Sequence, residues 1–275
     1  MSRFPTFFIS HGGGPWPWLE GGFRRQFDAL EASLSAIAQS LGDKPRVVLV
    51  VSGHWEEERF TVMSGAHPGM VYDFAGFPAH TYAIKYAAPG SPEVAQSVGR
   101  LLEGAGIAVA FDPARGFDHG TYAPLVAMYP QADVPVLQLS LKSGYSPRDH
   151  LAAGRALRPL RDEGVLIVGS GLSYHNLRNF GPGAHAPSET FDAWLDKALR
   201  APPDERTRLV TRWDEAPASR LAHPREDHLI PLHVALGAAE DERAERVYHE
   251  QGFMGGVTAS SYRFGPLPAH ARAAA

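Results

Sequence analysis

Cysteine is absent from the 275-residue chain. Its absence excludes disulfide frameworks, thiolate nucleophiles, thiolate zinc sites and cysteine-ligated iron–sulfur clusters together. Any metal must therefore be held by His, Asp or Glu. A basic excess is missing too: 26 Lys and Arg stand against 30 Asp and Glu, a formal net charge of −4, and the basic residues are scattered. With no clustered positive face to neutralise a phosphate backbone, nucleic acid is not an expected partner. No apolar run approaches the roughly 20 residues of a membrane span, and the apolar stretch in "MSRFPTFFIS" is too short for a secretory signal. A cytoplasmic protein without membrane attachment is the expectation. Two catalytic signatures are also incomplete. "HGGGP" lacks the spacing of either glycine-rich phosphate loop. "GSGLS" places Gly171 where a nucleophile elbow needs serine.

What the chain does have is enough apolar material, 44% of its residues, for a sizeable core. Short runs rich in Val, Ile, Leu and Phe, bounded by Gly, Pro or Ser, occur at 5–10, 46–53, 107–112, 135–141 and 164–171, and each reads as a buried strand. Helical patterns fall at 23–41, 92–104, 147–162, 188–200 and 228–239. Ser91-Pro92-Glu93 and Ser146-Pro147 supply start signals, a capping hydroxyl followed by proline at the first helical position. Strands alternating with helices predict an α/β fold: one domain over 1–275, with a mostly parallel or mixed central sheet flanked by helices. No internal repeat or long linker divides it. The segment "GPGAHAP" at 181–187 reads as a loop, and 268–275 as a frayed tail.

The histidines carry the functional signal. In open α/β sheets, ligands bind outside the carboxyl ends of the strands. His11 lies just past the first run, His54 just past the second and His175 just past the fifth, each with glycine nearby to let the backbone turn. A single histidine is more often a core or loop residue than a ligand; three at equivalent strand ends in a cysteine-free chain reverse that balance. Two more compete for the same rim: His119, in a loop after the strand at 107–112, and His228, at the start of an apolar helix. His233, five residues on, is rotated off the face of His228. The remaining seven (67, 80, 150, 185, 223, 249 and 270) sit in polar or irregular contexts and are read as structural. The aromatic sets Trp16/Trp18, Tyr72/Phe74/Phe77 and Tyr262/Phe264 fit either core or pocket wall.

The blocks "SHGGGP", "SGHWE", "YDFAGFP", "GFDHGTYAPL", "GSGLSYHNLR" and "REDHLIPLHVALGAA" run in order from residue 10 to 239. Together they resemble the DODA-type branch of the LigB-like, class III extradiol ring-cleaving dioxygenases. The resemblance implies an α/β fold with a buried mixed sheet and a mononuclear non-haem metal. The implied reaction is cleavage of a catechol ring by O2 beside its paired hydroxyls. It also implies His11, His54 and His228 as metal ligands and His175 as either a further ligand or an acid/base residue. His119 is implied as a histidine held near substrate and oxygen. Related branches use a carboxylate as third ligand; here that position is histidine, with Glu226 and Asp227 beside it.

The chemistry of the residues agrees with this resemblance. Ferrous iron favours a facial ligand set with open positions, and histidine supplies neutral nitrogen donors at about 2.0–2.1 Å. A catechol chelated through both oxygens becomes more acidic, so a base must take a proton, and neutral imidazole is suited to that near pH 7. His119 and His175 are the candidates, one as base and the other stabilising charge on oxygen. Fe(II) is expected for catalysis and Zn(II) in the protein as purified, because nitrogen-rich sites generally bind zinc more tightly. A small catechol and O2 are the expected partners, and nothing in the pattern specifies an oligomeric state. Two other readings rank lower: a zinc-dependent hydrolase with Glu56 or Asp118 activating water, and a non-catalytic binding protein of the same fold.

Overall fold

Four of the apolar runs lie side by side. In the computed structural model, which describes residues 3–268, they are β1 (Thr6–Ser10), β2 (Val47–Glu57), β5 (Val136–Lys142) and β6 (Val165–Gly171). They pair in parallel in the order β5-β2-β6-β1. Strands covered on both faces can be apolar at every position, and Val47–Val51 and Val165–Val168 are buried throughout.

Around this centre, β3 (Phe60–Met63), β4 (Val109–Asp112), β7 (Ala244–Phe253) and β8 (Val257–Phe264) complete an eight-stranded sheet among the described residues, ordered β4-β3-β5-β2-β6-β1-β8-β7. The β3–β5, β1–β8 and β7–β8 pairs are antiparallel, so the sheet is mixed. The helices are α1 (Gly21–Arg25), α2 (Asp28–Ser40), α3 (Pro92–Gly104), α4 (His119–Met128), α5 (Pro147–Leu157), α6 (His185–Arg200), α7 (Pro203–Thr211), α8 (Ser219–Ala222) and α9 (Pro231–Gly237). They cover both faces of the sheet. On β6, Ser170 donates to the Gly120 carbonyl of α4, whereas a side chain on neighbouring Gly169 would strike the Pro231 carbonyl of α9. Alternate strand residues face opposite ways, so α4 and α9 lie on opposite sides. No helix among the described residues is long and apolar enough to cross a membrane.

Local chemistry explains where the elements differ from the sequence pattern. The helix expected over 23–41 is interrupted at Phe27, which leaves helical geometry and buries its ring against Trp16 at 5.3 Å. Ser146 caps α5 as expected, accepting from the Asp149 N–H, but Ser91 makes no such bond to α3. The helix expected to reach 162 ends at Leu157 and continues as a 3-10 turn to Glu163. The pattern at 228–239 is helical only over Pro231–Gly237. Of the tail expected at 268–275, all but its first residue lies outside the described residues, as does His270.

Candidate metal centre

The polar side chains at one end of the parallel strands converge. His11 follows β1 directly, and its carbonyl accepts from the Trp16 indole N–H at 2.8 Å. This bond requires the chain to double back. Gly12 does so at φ +86, where a Cβ would stand 2.5 Å from the Trp16 ring, a backbone and a space that favour glycine. His228 sits in the turn before α9, its carbonyl accepting from Leu172 N–H at the end of β6 at 3.0 Å. His175 follows β6 by four residues and its backbone N–H donates to Ala222 O at 2.9 Å.

Three placements differ from the sequence reading, the first being His228, which precedes α9 instead of starting the helix. β2 runs on to Glu57, so His54 lies within the strand rather than beyond it, in a stretch where the pairing with β5 slips between Val51 and Glu56. His119 is not in a loop but is the first residue of α4, capped by Asp118. Asp118 is fully buried, and its oxygens accept from Ser52 (2.7 Å), Thr121 N–H (3.1 Å), Gln138 (2.6 Å) and Arg115 (2.7 Å). That carboxylate is consumed in joining α4 to β2 and β5 and has no role left as a water-activating base. Glu56 is likewise held, by Tyr145 and Arg225.

The imidazoles form one cluster. Ligand atoms of His11, His54 and His228 all lie within 4.8 Å of one another. The Nε2 atoms of His54 and His228 are 3.1 Å apart. Two nitrogens about 2.1 Å from one ion, at tetrahedral or octahedral angles, stand roughly 3.0–3.4 Å apart, so this spacing fits a shared ion. His119 packs against His54 with ring centres 4.0 Å apart. His175 stacks on His228 at 3.4 Å and groups with Asp227 and His228 rather than with His11 and His54.

Two carboxylates stand behind the histidines: Asp227, which the sequence places beside His228, and Asp73, to which the sequence assigns no role. Asp73 Oδ2 lies 2.9 Å from His119 Nδ1 and 3.2 Å from His54 Nδ1, while Oδ1 accepts the His119 backbone N–H at 3.0 Å. Asp227 Oδ2 is 3.2 Å from His228 Nδ1. Of these ring contacts the His119–Asp73 one is a hydrogen bond, and a carboxylate so placed fixes an imidazole's tautomer and raises its basicity; His228 Nδ1 makes no hydrogen bond to Asp227. Asp73 belongs to the block "YDFAGFP", which was the only signal for it; local spacing gives none.

Burial sets the protonation. It drives His11 and His228 well below the usual imidazole range, and the neighbouring histidines add to the effect. His54 falls to about 3, through burial and then the nearby His119, and His175 to about 3, through burial and then His223. Burial would raise the Asp73 carboxyl, but the hydrogen bond from His119 and the adjacent imidazoles hold it at about 2. His11, His54, His175 and His228 are therefore neutral imidazoles, and Asp73 is ionised, at pH 7, the protonation state metal binding requires. His11 gives the clearest sign of fit. It is 1% exposed, yet neither ring nitrogen has a hydrogen-bond partner. An unsatisfied buried polar group costs about 1–3 kcal/mol, which a bound cation would offset.

Residues 5–265 match the family described as the catalytic LigB subunit of aromatic ring-opening dioxygenase. The chain belongs to the LigB family. Similar proteins include 4,5-DOPA dioxygenase extradiol of Beta vulgaris, 40% identical over 94% of this chain and 96% of that one. The proteins of the same name from Portulaca grandiflora and Escherichia coli K12 are 38% and 35% identical, over 94% and 96% of this chain and 95% and 96% of theirs. A crystal structure of an uncharacterized Escherichia coli K12 protein superposes with a TM-score of 0.77 at 30% identity, covering 96% of this chain and all of that one. The LigB chain described here is an aromatic ring-opening dioxygenase of the extradiol type, acting on an aromatic substrate with O2. Its aromatic sets divide by burial. Trp16, Tyr262 and Phe264 are core. Phe74 stands 6.1 Å from His119 and 5.4 Å from Phe77, which borders a cavity of about 460 Å³ with Leu19, Glu20, Phe23, Pro78 and His80.

Proposed function

We propose that His11, His54 and His228 hold one divalent metal, ferrous iron in the active enzyme, and that a catechol is opened there by O2. The observation that carries this reading is the convergence of three neutral imidazoles, one of them buried with both nitrogens unsatisfied. When bound, iron supplies an electron path between catechol and O2 that zinc, having no accessible redox change, does not.

The chain's own residues do the remaining work. His119 donates Nδ1–H to Asp73, so its Nε2 is the nitrogen left to accept a proton from a catechol hydroxyl. His175, stacked on His228 and neutral, is the second proton-handling group, one imidazole taking the hydroxyl proton and the other returning a proton to the opened product. Phe74 and Phe77 offer faces on which an aromatic ring can pack. A hydrolase reading loses its water-activating groups, because Asp118 and Glu56 are both engaged elsewhere.

The test compares zinc-loaded protein with protein reconstituted anaerobically with ferrous iron, over a panel of catechols that includes DOPA, the substrate in the relatives' names. Oxygen uptake and the yellow absorbance of a ring-opened semialdehyde should appear together in the iron form and be absent from the zinc form. Hydrolysis of esters or amides by the zinc form, with no oxygen consumed by the iron form on any catechol, would replace the proposal with the hydrolase.

A further inference from the structure

His54 and His228 come from segments far apart in sequence, and something must fix their nitrogens 3.1 Å apart. The sheet anchors the His228 backbone through Leu172 N–H but leaves the His54 side unladdered. β2 is laddered to β6 as far as Ser52 and to β5 as far as Val51, and pairing with β5 resumes only at Glu56. Among the described residues, Gly53, His54 and Trp55 have no ladder partner.

Two contacts bracket that stretch, and both lead to the segment carrying His228. At Gly53 a Cβ would stand 3.1 Å from Asp227 O and 3.4 Å from His228 Cα, so only glycine lets the two segments lie together without displacement. At Glu56 a closed triangle forms. Tyr145 O–H donates to the Glu56 carboxylate, Arg225 Nη2 donates to the same oxygen, and Arg225 also donates to the Tyr145 hydroxyl oxygen. The Arg225 guanidinium lies over the Tyr145 ring, 5.1 Å from its centre. Tyr145 holds φ +49 in the turn after β5. That conformation is disfavoured for a bulky residue and persists where surrounding contacts over-determine it.

We propose that Arg225, Tyr145 and Glu56 form a latch of positioning residues that sets the separation of His54 and His228 and thereby the metal affinity of the centre. The latch rests on the reading of those histidines as ligands. It reaches the metal only through them: Glu56 acts two residues past His54, and Arg225 three residues before His228.

The experiment is an anaerobic titration of the metal-stripped full chain with Co(II), read by its d–d absorbance, alongside the melting temperature of the stripped protein. Tyr145→Phe removes one hydroxyl and keeps the ring; Arg225→Met removes the guanidinium and keeps its bulk. Each is expected to weaken Co(II) binding about tenfold or more, the scale for groups that orient metal ligands, with the stripped protein melting as the parent does. Arg225→Lys, which retains a cation beside Glu56, should recover part of the affinity. Parent-like binding in both Tyr145→Phe and Arg225→Met, with His54→Ala failing to bind, would overturn the latch and leave the metal centre standing. Parent-like binding in His54→Ala would overturn the metal centre and the latch with it. An affinity loss that follows a lowered melting temperature across the set would also overturn the latch, since general destabilisation would then account for it.

Discussion

Asp73 does the most at the scale of a single residue. It accepts from both the backbone and the ring of His119, and so orients that imidazole, and it lies 3.2 Å from His54 Nδ1. Asp73→Asn places an amide where an ionised acceptor stood and removes the preference for one His119 tautomer. Turnover should fall roughly 10²-fold, the usual scale for positioned acid/base catalysis, and His119→Ala should fall at least as far. Parent-like turnover in iron-loaded His119→Ala would remove it from the mechanism. His175→Ala separates two roles: metal retained with slow turnover makes it a proton-handling residue, and metal lost makes it a ligand. The histidines could be found in the sequence because strand ends announce a ligand-binding rim. Asp73 could not, since a carboxylate in an irregular segment has no periodicity, and only folding brings residue 73 to residues 54 and 119.

At the scale of elements, the legible signal is a long uninterrupted apolar run: β3, though buried, is only four residues long and gives none, and the run at 107–112, expected as a buried strand, is the half-exposed edge strand β4. β1, β2, β5 and β6 were readable because strands covered on both faces are apolar without interruption. β7 was missed because its sequence, "AERVYHEQGF", is charged and lies at the sheet edge. β8, "VTASSYRF", was missed because hydroxyls fill buried positions: Ser261 accepts from Ser10 N–H, and Ser260 N–H donates to Ser173. α4 was missed because it is buried along most of its length, shows no polar stripe and carries Pro124 within it. Three histidines read as structural or off-face prove to tie elements together. His150 of α5 accepts from Lys142 N–H of β5, while His223 Nε2 meets Ser173 O and His233 Nε2 of α9 meets Val210 O of α7, each at 3.0 Å. Burial lowers all three, His150 and His223 to about 4. The unfolded chain takes up protons near pH 6.5 and the folded one does not until about pH 4. Stability is therefore full above the unfolded value and is lost as pH falls through that window, by on the order of 3 kcal/mol each for His150 and His223. His54 and His175 of the metal-stripped protein act in the same direction. Urea unfolding of stripped protein at pH 7.5 and pH 5 should show the loss; equal stability at the two values would contradict it.

For the molecule as a whole, the histidine cluster proposed as the metal centre is where the architecture closes. The ends of β1 and β6, the unladdered stretch within β2, the start of α4 and the turn before α9 each deliver one histidine to a volume that no single element defines. The α/β class and the rim are legible from strand–helix alternation; the mixed sheet is legible only in outline, because β7 and β8 lack an uninterrupted apolar run and β3, though apolar, is only four residues long. Assembly from distant segments makes the central claim directly testable by metal content. The parent, refolded or dialysed with excess Zn(II) or Fe(II), should carry one metal per chain, and His11→Ala, His54→Ala and His228→Ala should each lose most of it while keeping the parent's circular dichroism. Full occupancy in all three variants would contradict the account, because the metal would then be held by residues other than these.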